Sequence, residues 1–101
     1  MGKYGQNPLI GCNATLVDVG DNTTTVFTGA GKVLGYNVET VLSAHNNLIC
    51  DASTTLNVTT VSLAKGTNVI FPTGGIKFNT SLIVDADDSA TGKIIIYWIE
   101  D

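Results

Sequence analysis

The chain of 101 residues predicts an all-β fold, an antiparallel β-sandwich of the jelly-roll kind with about eight short strands. Three observations lead there. Apolar residues recur with period two in segment after segment, the spacing of a strand with one face buried. No window long enough for a stable helix shows an apolar stripe at three-and-four spacing. Clusters of Gly, Asn, Asp, Ser and Pro break the pattern at short intervals, as the turns of a hairpin-built sandwich do. A partly closed barrel is the nearest competing arrangement.

Taken in order, residues 1–11 form an N-terminal arm of Gly, Gln, Asn and Pro with Tyr4, Leu9 and Ile10 as its anchors, a composition expected to order against a partner. Residues 12–101 form a single β-sandwich domain, near the common size of one domain and large enough for a core without metal or disulfide help. The pattern predicts strands over 12–19, 23–28, 32–42, 47–51, 54–63, 67–71, 76–85 and 92–99. In the third, Leu34, Tyr36, Val38 and Leu42 share a face opposite Gly35, Asn37 and Glu39. In the seventh, Ile76, Phe78, Leu82 and Val84 oppose Lys77, Asn79, Ser81 and Asp85. In the fifth, Leu56 and Val58 lie on one parity and Val61 and Leu63 on the other. A bulge at Thr59-Thr60 would return both pairs to one core.

The closing strand differs from the rest because both of its faces are apolar. Ile94, Ile96 and Trp98 cover one side, Ile95, Tyr97 and Ile99 the other. A two-layer domain buries one set. The other set is covered either by a loop of the same chain or by another protein, since exposed apolar strands invite association. Low charge points toward company: 14% of residues are charged and 44% hydrophobic, against roughly 25% charged in ordinary soluble domains. Ile95, Tyr97 and Ile99, with Tyr4, Leu9 and Ile10 of the arm, are therefore the candidate interface.

Composition argues against several functions. A net charge of −4 with five scattered Lys and Arg offers no phosphate-binding surface, so no nucleic acid is expected. No apolar run approaches the roughly 20 residues of a membrane span, and the polar start carries no signal-peptide core, so no membrane association and synthesis in a cytoplasm are expected. In that reducing setting Cys12 and Cys50 are expected to pack as small apolar thiols, a disulfide between them being the alternative. Chemistry is poorly served too. Thr28-Gly29-Ala30-Gly31-Lys32-Val33 fails as a phosphate loop because Val26 stands where its first Gly belongs and Val33 where a hydroxyl should bind magnesium. Asp85, Asp87 and Asp88 break the calcium-loop order at Ala90 and read as a solvated acidic turn, with a weak cation site as the alternative. His45 lies in a polar turn, and a pairing with Cys50 has no flanking signature. No catalytic residue, cofactor or metal is expected.

The run from Thr24 to Trp98 resembles the small jelly-roll head decoration, or cement, proteins of tailed bacteriophages. The likeness lies in the strand start Gly31-Lys32-Val33-Leu34-Gly35-Tyr36-Asn37-Val38 and the short strand Leu48-Ile49-Cys50-Asp51-Ala52-Ser53. A hydrophobic-Pro turn, a Gly-rich approach to Ile76-Lys77-Phe78-Asn79-Thr80-Ser81-Leu82-Ile83-Val84 and a closing strand ending near Tyr97 complete it. Trp98 and the region before Thr24 depart from it. The resemblance implies a non-enzymatic virion structural protein, made in the host cytoplasm and located on the capsid surface. It implies a homotrimer that docks on the major capsid protein of an assembled shell. A receptor- or carbohydrate-binding module of a spike or fibre is the alternative, and a small hydrolase a distant third.

Overall fold

The computed structural model describes residues 11–101, and the arm residues Tyr4, Leu9 and Ile10 lie outside them. Among the described residues there are nine strands, a short 3-10 turn at Val19–Asp21 and no α-helix. The strands are β1 (Asn13–Asp18), β2 (Thr23–Thr28), β3 (Gly31–Thr40), β4 (Asn47–Asp51), β5 (Thr54–Thr59), β6 (Asn68–Ile70), β7 (Ile76–Phe78), β8 (Ser81–Ala86) and β9 (Lys93–Glu100). One sheet has the order β1-β9-β3-β6, with β7 also on β3; the other has the order β2-β8-β4-β5. Every pairing is antiparallel. First pairs with last (β1 with β9), β2 with β8, β3 with β6 and β4 with β5, so the chain is one long hairpin rolled over on itself. That wrapping is a jelly roll, and the fold class expected from the sequence is the one observed.

The core lies between the sheets. Val17, Val33, Tyr36, Val38, Ile94, Ile96 and Trp98 come from the first sheet, and Ile49, Leu82 and Val84 from the second. At one end Phe27 stacks on Trp98 with ring centroids 4.6 Å apart and meets Phe78 edge-on at 6.3 Å, joining the two layers. Trp98 could not be buried with its N–H unpaired, and Nε1 donates to Thr15 Oγ1 on β1 at 3.1 Å.

Three expectations are corrected. The predicted strand 76–85 breaks in two, because the backbone N–H groups of Asn79, Thr80 and Ser81 donate to the Asp51 carboxylate, and the chain crosses from the first sheet to the second there. In the third strand Leu34 does not share the core face with Tyr36 and Val38. A bulge between Val33 and Gly35 makes Val33 the core residue, while Leu34 is buried beside Gly75 and its carbonyl accepts from the Phe71 N–H. The bulge expected at Thr59-Thr60 is absent. β5 ends at Thr59, its extra residue is Leu56, and the chain then leaves the sheet to bridge Leu63 to Leu42. Leu56 and Leu63 pack on the core, whereas Val58 and Val61 are more than half exposed.

Gly35 shows why β3 needs glycine. Its φ is +155°, and an added Cβ would come within 2.2 Å of the Val69 carbonyl oxygen on β6. Any side chain here would push the two strands apart.

The three amide donors hold the Asp51 carboxyl below its usual range, with Lys77 adding a smaller pull in the same direction. A depressed folded-state value means that its contribution to stability is complete above the unfolded carboxyl range, about pH 4, and is lost as pH falls through the folded value. Asp51→Asn is expected to lower the urea midpoint at neutral pH and to flatten its decline on acidification, read by titrating both proteins from neutral pH to below pH ~3. Phe78 is fully buried, and Phe78→Ala is expected to cost about 3–5 kcal/mol in urea unfolding; a loss under about 1 kcal/mol would mean that the aromatic end does not hold the layers together.

Candidate interaction surface

β9 is the second strand of its sheet, hydrogen-bonded to β1 on one side and β3 on the other. Alternation along it places Ile94, Ile96 and Trp98 in the core and Ile95, Tyr97 and Ile99 on the outer face, where all three are half-buried. The register then builds rows across that face. One row is Leu16, Ile95, Asn37 and Asn68; the next is Ala14, Tyr97, Gly35 and Ile70. Leu16 and Ile70, at 58% and 56% exposure, are among the most exposed large apolar residues described.

Charge borders these rows at both ends. Asp18 and Lys93 stand opposite each other beyond the Leu16 row. Beyond the Tyr97 row, Ile99 sits opposite Lys32, which faces Lys77, and Lys77 forms an ion pair with Asp101. Along one flank Asn37 Nδ2 donates to Asn68 Oδ1 at 2.8 Å. The apolar rows thus run from edge strand to edge strand, with charge at their two ends.

Of the sequence-predicted interface residues, the fold brings Ile95 and Tyr97 together at the centre and puts Ile99 at the charged end. Tyr4, Leu9 and Ile10 fall outside the described residues. Sequence reasoning missed Leu16 and Ile70. Their signal is a parity opposite to Val17 and Val69, the neighbours that face the core, but nothing local says that they share a surface with Tyr97.

The polar candidates are occupied structurally. Ser43 Oγ lies 2.9 Å from His45 Nδ1 and accepts the Thr91 N–H at 2.9 Å, while the Ser43 N–H donates to the Thr91 carbonyl. The hydroxyl is thus engaged in clamping the loop before β4 to the loop before β9. Asp85 accepts from the Thr23 hydroxyl and Asp87 from the Ser89 N–H, and among the described residues no group of three or more His, Cys, Asp or Glu could hold a metal. Cys50 is a buried thiol, pushed above its usual range chiefly by burial, with a Thr55 hydrogen bond opposing and the Asp85 charge assisting. Phe27, Tyr36, Phe71, Phe78 and Trp98 engage one another inside the sandwich, so Tyr97 is the described aromatic that the outer face presents. Comparison with protein-family models, with curated proteins and with solved structures finds no match to this chain.

Proposed function

We propose that this chain is a non-enzymatic structural protein of a phage virion, a decoration protein that docks on the assembled capsid and stabilises it. The observation that carries the reading is the apolar outer face of the first sheet, where Leu16, Ile95, Tyr97 and Ile70 lie in adjacent rows with no strand of the second sheet over them. The resemblance of residues 24–98 to cement proteins supplies the partner, the major capsid protein, and the homotrimeric state.

The mechanism is binding energy. A specific contact of ordinary size buries about 1,600 Å² in total. A subunit that binds the closed shell and not its separated parts shifts the balance toward the shell by mass action, and many copies multiply the effect. Rigid strands suit that role, because a preformed face loses little entropy on docking.

Leu16→Glu and Ile70→Glu test it. Both sites are exposed, so folding stability should change by no more than about 0.5 kcal/mol. Self-association in light scattering and co-sedimentation with capsids are both expected to fall sharply. A wild-type protein that stays monomeric and does not sediment with the particle would defeat the proposal. So would finding this chain at only a few copies in the fractionated mature virion.

A further inference from the structure

Asn47 opens β4 with its side chain directed into the sandwich and only 7% of its surface exposed. Its Nδ2 donates to the His45 carbonyl at 2.9 Å, which fixes how the amide is turned. Oδ1 is then left without a hydrogen-bond partner among the described residues. A buried carbonyl oxygen is rarely left dry, because folding strips its water and must replace that hydrogen bond.

The same amide lines a pocket between the sheets, together with Tyr36, Leu42, Asn57, Thr59 and Ile94. The space open to the centre of a water-sized sphere is about 10 Å³, which is about what one water molecule requires. Water also needs polar partners, and this mostly apolar lining includes two hydroxyl residues besides the Asn47 amide. The Tyr36 hydroxyl and Thr59 Oγ1 are 2.8 Å apart, and one hydroxyl proton makes that bond whichever group donates. The other hydroxyl keeps a proton to give.

We propose that this pocket binds one internal water molecule, which donates to Asn47 Oδ1 and accepts the spare hydroxyl proton of the Tyr36–Thr59 pair. Through the hydroxyl pair, which itself joins β3 to β5, the water ties β4 into a link between the two sheets at the end of the sandwich away from Phe27 and Trp98. It satisfies a polar group that the apolar neighbours Leu42 and Ile94 cannot. The assignment is independent of any docking partner.

Water–protein cross-relaxation NMR on the full chain tests the site. Cross-peaks with the sign of long-lived water are expected at the Asn47 side-chain amide and at the Leu42 and Ile94 methyls. In Asn47→Val the methyl cross-peaks should vanish while the rest of the spectrum keeps its dispersion. Persistence there would assign them to hydroxyl exchange from Tyr36 or Thr59 and overturn the proposal. Should the variant not fold, a high-resolution crystal structure of the full chain decides. Water density within hydrogen-bonding distance of Asn47 Oδ1 supports the site; a dry pocket, or Oδ1 bonded to another protein group, ends it.

Discussion

β9 is hydrogen-bonded on both sides, to β1 from Asn13↔Trp98 through Asp18↔Lys93 and to β3 along most of its length, so its register decides what both layers of the molecule look like. A slip of one residue would exchange Ile94, Ile96 and Trp98 for Ile95, Tyr97 and Ile99. Hydrophobicity alone barely opposes that slip, because both sets are apolar. Shape and hydrogen bonding do. Only Trp98 can stack on Phe27 and reach Thr15 Oγ1, and the bulge at Leu34 together with Gly35 fits one alignment of β3 against its neighbours. Tyr97 finds Ala14 on one side and Gly35 on the other, the smallest residues of that face.

That register also explains how the outer face differs from an ordinary solvated sheet. In most antiparallel sandwiches the outward set of a central strand is polar. Here the outward set of β9 is Ile95, Tyr97 and Ile99, and β1 and β6 extend it with Leu16 and Ile70. Charge stands at the ends of the rows, in Asp18 and Lys93 at one and in Lys32 and the Lys77–Asp101 pair at the other. No lysine or acid stands in the rows themselves, at Ala14, Leu16, Ile95, Tyr97 or Ile70.

The sandwich and most strand positions were legible in the sequence, since period two survives wherever a strand keeps one partner on each side. What escaped it were the places where the chain changes partner. The alternation of Ile76, Phe78, Leu82 and Val84 runs unbroken through Asn79 and Thr80, yet these two residues turn the chain from one sheet to the other, because the carboxylate that captures their N–H groups is Asp51, remote in sequence. Leu34 misled for a related reason: a bulge moves parity by one, and the close approach of Val69 to Gly35 and of Gly75 to Leu34 that accompanies it is reported by no local pattern. Half of the candidate surface was visible, namely the double-sided β9. Leu16 and Ile70 read as ordinary outward residues until topology set them beside it.

The wrapping that sets them there has a further consequence. Leu16, Ile70, Ile95 and Tyr97 come from β1, β6 and β9, and they meet only when the first strand has paired with the last. Such pairing is long-range and entropically late, because the whole intervening chain must be closed as a loop before β1 and β9 gain anything from each other. A partly folded chain can expose Ile95 or Leu16 singly, but it cannot present the rows. Any recognition through this face would therefore be coupled to completion of the jelly roll. The apolar strand β9 is part of that combined surface only in the finished fold.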